Sequence, residues 1–134
     1  MDKDVDKLIA RLSGYNRTSE SAAIDALIAD ANDALIDRLE KEISKSQWPL
    51  CTSLGTALGR IGTPRSTQAL INNLTAPKHH VRTAAINALV LSGDESLVAH
   101  IKPFLADKAF ETRVAARDAI KALTGKRVKT ARGE

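Results

Sequence analysis

The chain is short of aromatic residues. It has one Trp, one Tyr and two Phe among 134 residues, too few for the stacking platforms that hold single-stranded nucleic acids. It has one cysteine, Cys51, which excludes an internal disulfide and leaves no thiolate set for a structural zinc. No apolar run approaches the roughly 20 residues that a membrane span needs. The opening stretch MDKDVDKLIA is charged where a secretory leader would be apolar. These absences together predict a reducing, cytoplasmic setting.

What the chain does have is Ala, Leu and Ile at a fixed interval. Ala26, Ala57, Ala88 and Ala119 lie 31 residues apart, as do Leu27, Leu58, Leu89 and Ile120. Leu8, Leu39, Leu70 and Ile101 keep the step, and so do Leu12, Ile43, Leu74 and Leu105. A period of this length marks a stacked repeat protein, in which no unit can bury its apolar face alone. The fold class is therefore all-α, with about eight helices in four helical hairpins.

One unit shows the grammar. Thr63 is a plausible N-cap and Pro64 suits a first helical turn, where its missing N–H has no partner to lose. Leu70, Ile71 and Leu74 follow at helical spacing, and Ala76-Pro77-Lys78 breaks the helix. Val81, Ala84, Ala85, Ala88 and Leu89 make the stripe of the second helix, and Gly93 closes it, as Gly62 does one unit earlier. The spacing predicts helices at 4–13, 18–30, 33–44, 48–60, 64–75, 79–91, 94–106 and 110–123. Pro103 should kink or shorten the seventh. The expected organisation is a single repeat domain over 1–124, with units near 5–35, 36–66, 67–97 and 98–128, and a basic, disordered tail over 125–134. Asp2, Asp4, Asp6 and Lys7 at one end, and Arg117, Asp118 and Lys121 at the other, read as polar caps on a complete stack of four.

Charge is placed unevenly. The formal net charge is +4. Residues 1–47 carry −3, residues 48–124 carry +4 and the tail carries +3. A basic second half brings acidic protein surfaces and nucleic acid under consideration as partners.

The stretches Ala57-Leu58-Gly59-Arg60-Ile61-Gly62-Thr63-Pro64 and Val81-Arg82-Thr83-Ala84-Ala85-Ile86-Asn87-Ala88-Leu89 resemble the short HEAT-like repeats named after phycobilisome bilin lyases. Thr112-Arg113-Val114-Ala115-Ala116-Arg117-Asp118-Ala119-Ile120 is similar. The likeness is strong over 48–125 and weaker, but in phase, over 5–47. It implies a right-handed α-α superhelix of antiparallel hairpins whose second helices line the inner face. Most chains with such repeats are interaction scaffolds, and some relate to bilin attachment. Family repeats often carry an acidic residue in the turn before the Val-Arg pair, where it can bind the Arg of a neighbouring unit. Here Asp107 is expected to serve Arg113, whereas Ala76-Pro77 offers Arg82 nothing comparable, so the arginine ladder is expected to be incomplete. Tetratricopeptide and ankyrin signatures are absent.

Few groups converge for chemistry. His79 and His80 open a helix without a Cys or an i,i+4 partner for metal binding. The His-Glu pairs of iron-binding HEAT hydroxylases do not appear. Cys51 has no base beside it, as a nucleophile would need. No catalytic residue, metal site or cofactor is expected, and the chain is expected not to be an enzyme. Trp48 reads either as a plug over an interhelical turn or as an aromatic anchor at the rim of the concave face. Gly55 and Gly59 on a helix imply the close approach of a partner helix or of the neighbouring repeat.

The expected function is a protein–protein interaction scaffold that holds a protein or peptide segment through Trp48, Thr52, Thr56, His79, Thr83, Asn87 and Arg117. The alternatives are phosphate-backbone binding by a basic edge of Arg60, Arg82, Arg113 and Lys121, and an accessory role in bilin attachment. HEAT-like DNA glycosylases bind duplex DNA on a basic concave face, but they also need aromatics and a carboxylate near the extruded base, and this chain is poor in the former.

Overall fold

The computed structural model describes residues 2–12, 17–29 and 31–134. Ser13 and Asp30, two expected helix ends, lie outside the described residues, as do the side chains of Asp2, Asp4 and Arg17. The helices are α1 (Asp2–Leu12), α2 (Arg17–Ala29), α3 (Asp33–Lys45), α4 (Leu50–Ile61), α5 (Pro64–Asn73), α6 (His79–Leu89), α7 (Val98–Ile101) and α8 (Phe110–Thr124). No strand occurs among the described residues.

Each hairpin forms where the local chemistry directs it. The Thr63 hydroxyl accepts from Ser66 N–H at 3.2 Å, with Pro64 in the first turn of α5. Such a cap stabilises by about 1 kcal/mol. Asn32 caps α3 in the same way through Leu35 N–H at 2.9 Å. Gly62 and Gly93 stop the second helices of their units at φ +68°, a left-handed conformation that a side chain would strain. Pro103 does more than kink its helix. Between Glu95 and Ala106 only Val98–Ile101 is α-helical, flanked by 3₁₀ turns at Glu95–Leu97 and Lys102–Ala106.

The hairpins stack into a helical solenoid. Within a unit α1 packs on α2, α3 on α4, α5 on α6, and α7 with its following 3₁₀ turn on α8. Between units α2, α4, α6 and α8 contact one another in order and form one layer, while α3 and α5 contact in the other. The repeating columns fill the space between the layers. Leu39, Leu70 and Ile101 are 0–1% exposed, as are Leu27, Leu58 and Leu89. In the first and fourth units Leu8, Ala26 and Leu105 are only partly buried.

Gly55 and Gly59 serve the stack itself. A Cβ on Gly59 would sit 2.7 Å from the Ala88 carbonyl oxygen and 2.9 Å from Leu91 Cδ1. A Cβ on Gly55 would meet the Ala84 carbonyl oxygen at 3.3 Å. The approaching helix is α6 of the next unit, which Ala84 and Ala88 bring close to α4.

The outer layer is cross-tied by charge. Arg38 of α3 reaches Asp6 of α1, and Arg65 of α5 reaches Asp37 and Glu40 of α3. Exposed pairs of this kind add little each, on the order of 0–1 kcal/mol.

Candidate functional site

The first turns of successive second helices in the α2–α4–α6–α8 layer define the site. A groove of about 510 Å³ runs across them, lined by Trp48, Thr52, His79, His80, Thr83, Ala84, Asn87 and Glu111. Thr52 comes from α4, His79 to Asn87 from α6 and Glu111 from α8, while Trp48 stands just before α4. Side chains thus converge from three units because the 31-residue repeat places equivalent helix starts side by side.

Polar contacts fix the floor. The Thr83 and Thr112 hydroxyls lie 3.0 Å apart, and the buried Thr112 hydroxyl donates to the His79 carbonyl at 3.4 Å. Cys51 Sγ points at the His80 carbonyl at 3.8 Å, and a His80 ring nitrogen lies 3.3 Å from the Ser46 carbonyl. Burial pushes the Cys51 thiol above its ordinary pKa, so it is a packed hydrophobe and no ready nucleophile. His79 Nδ1 faces Glu111 Oε2 at 3.4 Å on the rim. Trp48 is 66% exposed. It does not plug the interhelical turn; its indole face is open at the groove edge.

The structure brings together five of the seven expected contact residues: Trp48, Thr52, His79, Thr83 and Asn87. Thr56 lies one turn along α4 and hydrogen-bonds back to the Thr52 carbonyl at 3.0 Å. Arg117 lies elsewhere, against Asp118 at 2.9 Å. Glu111 was not anticipated. Its partner His79 is 32 residues away, one off the repeat step, and a search for opposite charges near that separation would have found it.

The expected basic edge is half dismantled. Arg60 is exposed and paired with Asp25 at 3.0 Å, and Lys121 is exposed. Arg82 and Arg113 are 6% and 3% exposed and turn inward. Arg82 Nη1 donates to the Ala76 and Pro77 carbonyls at 3.0 and 2.9 Å, and its Nε and Nη2 form a fork on Asp107 at 2.9 and 3.0 Å. Arg113 repeats the pattern. Nη1 donates to the Asp107 and Lys108 carbonyls at 3.0 and 3.2 Å, and Nε and Nη2 fork onto Glu134 at 3.0 and 2.9 Å. Arg82, expected to lack an acidic partner, has one in Asp107 of the following unit. Each guanidinium takes carbonyls from its own turn and a carboxylate from the segment that follows its unit. These fixed forks are structural, since buried arginine needs matched acceptors.

The tail is likewise not free. Ala131 N–H donates to the Leu105 carbonyl at 2.8 Å, Glu134 N–H to the Thr130 hydroxyl at 3.1 Å, and the Thr130 hydroxyl to the Glu134 carboxylate. Thr130 is 5% exposed. The basic composition of 125–134 concealed that its one acidic residue is its anchor.

No helix among the described residues is long and apolar enough to cross a membrane. The described residues hold no cluster of three or more His, Cys, Asp or Glu able to grip a metal ion.

Residues 32–123 match the family model of HEAT repeats. The chain is 39% identical over 83 residues to phycocyanobilin lyase subunit alpha of Nostoc sp., covering 62% of this chain and 28% of that protein. It is 30% identical over 93 residues to the protein of the same name in Picosynechococcus sp., covering 69% and 33%. The chain thus spans about a third of the length of these curated relatives. Among solved structures it is similar to human deoxyhypusine hydroxylase in complex with glycerol, with a TM-score of 0.67, 20% identity, and 90% of this chain and 43% of that one covered. That likeness is one of fold. The curated relatives overturn the expectation that the chain is not an enzyme, because both are named as lyase subunits.

Proposed function

We propose that this chain, which belongs to the HEAT-repeat family, works in bilin attachment as the module of a lyase assembly that holds another protein chain in its α4–α6–α8 groove. The observation that carries the groove reading is the open indole of Trp48 beside a shallow row of Thr52, Thr83 and Asn87. Trp is among the residues enriched at interface hot spots, where one large anchor is buried on binding and the contacts around it chiefly exclude water. The groove contains no Lys or Arg, so it suits a neutral or mixed segment better than a strongly acidic one. Support for bilin chemistry comes from the relatives. Both are subunits of a phycocyanobilin lyase, and a subunit functions with another chain.

The test mixes the chain with phycocyanobilin, a candidate acceptor apoprotein and the complementary lyase subunit, and follows visible absorbance. A shifted, intensified band that requires the chain is expected. Thr52→Glu with Asn87→Glu should reduce capture of the protein partner at least tenfold, roughly the loss of one hot spot, with the thermal melt nearly unchanged because both residues are exposed. No chain-dependent absorbance change would overturn the bilin reading; unaltered capture by the double variant would remove the partner from this groove.

A further inference from the structure

A second cavity lies at the end of the stack and takes no part in the groove. It is an open concavity of about 530 Å³ between the last turns of α8 and the returning tail. Arg117 and Lys121 line it from the helix, and Arg127 and Lys129 from the tail. Its two carboxylates are already engaged. Asp118 accepts from Arg117 at 2.9 Å, and Glu134 is held by the Arg113 fork. Lys121, Arg127 and Lys129 are exposed and form no ion pair among the described residues. Three uncompensated cations are therefore gathered around one concavity. Their mutual repulsion is relieved when an anion enters.

The walls are not purely polar. Val128 and the hydrocarbon stems of the long cations line the cavity, with charge carried at the stem ends. The volume lies within the roughly 300–1,000 Å³ usual for small-molecule sites. An apolar body with more than one ionised acid group fits this combination. Such a ligand has no counter-charge in the α4–α6–α8 groove, whose lining offers no Lys or Arg.

We propose that this end cavity binds the carboxylate-bearing part of an open-chain tetrapyrrole, with Lys121, Arg127 and Lys129 neutralising its two propionate groups. This rests on the bilin reading and adds a place for the bilin on this chain, separate from the protein groove. Propionic acids are ionised at neutral pH, and both Arg forks and Lys ammonium groups bind carboxylate oxygen.

The experiment titrates phycocyanobilin and its dimethyl ester into the full chain at low and high salt, read by visible absorbance and induced circular dichroism. The wild type should bind the diacid, and more weakly as salt rises. The triple variant Lys121→Gln, Arg127→Gln, Lys129→Gln should bind it roughly thirtyfold more weakly, three exposed charge contacts combined. The ester should bind the wild type about as weakly as the diacid binds the variant. All three side chains are exposed, and an unchanged thermal melt checks the fold. Equal binding of diacid and ester, or of wild type and variant, overturns the site. So does a chain that binds no bilin yet still supports attachment in the acceptor assay, an outcome that leaves the bilin reading standing. Full displacement by excess inorganic phosphate, with no preference for the diacid over the ester, shows a general anion site and also overturns the proposal.

Discussion

Arg82 and Arg113 occupy equivalent positions in the third and fourth units and sit in nearly identical sockets, but different parts of the chain close them. The Arg82 socket is closed by Asp107, which belongs to the next repeat. The Arg113 socket is closed by Glu134, which belongs to a tail with no helix. The Asp107 side chain is 9% exposed, that of Glu134 24%. Phe110 also shields the fourth socket, with its ring centroid 5.8 Å from the Arg113 guanidinium carbon. Each of these guanidiniums takes its carboxylate from the segment after its own unit, and after the fourth unit the chain folds back to supply it. The same contact has two origins, one intrinsic to the repeat and one supplied from outside it.

The largest effect should come from the socket whose carboxylate is the more buried. Arg82→Ala leaves Asp107 without its counter-ion and frees two carbonyls of the Ala76-Pro77 turn. Breaking a buried pair from one side costs about 3 kcal/mol or more, which lowers the melting temperature by roughly 10 °C in a chain of this size. Arg113→Ala should cost clearly less, since the tail can move away and expose Glu134 to water. Thermal or urea melts of both variants decide it. Equal losses would mean that the tail is as much a part of the stack as a repeat.

A smaller effect is expected from removing residues 130–134. That deletion takes away Glu134 and the Ala131–Leu105 bond but leaves all eight helices. Its cost should be close to that of Arg113→Ala, and the two changes together should cost little more than either alone, because both open one socket. Full additivity would show that Arg113 and the tail stabilise the end of the stack independently.

The sockets also mark where sequence reasoning succeeds and where it stops. The 31-residue step placed the helices, because Leu39, Leu70 and Ile101 must each face the same interlayer space. Thr63, Pro64, Gly62 and Gly93 were legible as helix punctuation, since each acts on backbone within four residues. Five groove residues were legible because a fixed step puts helix starts in a row. The sockets were not, for two reasons. A periodic column fixes the side of the helix from which Arg82 leaves, but not whether its long, flexible side chain runs outward or curls into the turn. The deciding acceptors are the carbonyls of Ala76 and Pro77, which every residue carries and no side-chain pattern reveals. Proximity in sequence pairs Asp107 with Arg113, whereas in the structure Arg82 of the preceding unit reaches forward to it. Arg82 and Arg113 therefore passed for surface charge.

The finest comparison is by acid. Burial pushes the Asp107 carboxyl upward, but the Arg82 guanidinium and the Ala109 N–H outweigh it, so its pKa lies below the ordinary value. The Arg113 fork and the Thr130 hydroxyl hold Glu134 down at about 2. Both are folded-state pKa values depressed below the unfolded ones. The stability each contributes is complete above the unfolded carboxylate pKa and is lost as pH falls through the folded value. For Glu134 that window runs from 4.5 down to about 2. The readout is the Ala131 amide resonance, whose bond to the Leu105 carbonyl reports the docked tail. In the wild type it should stay at its neutral-pH position down to about pH 3 and shift only near 2. In Glu134→Gln, which keeps one acceptor and loses the charge, the docked fraction should be lower at neutral pH and should no longer respond across this window. A wild-type midpoint near 4.5 would show that the guanidinium does not hold the tail carboxylate, and the likeness between the two sockets would fail at that point.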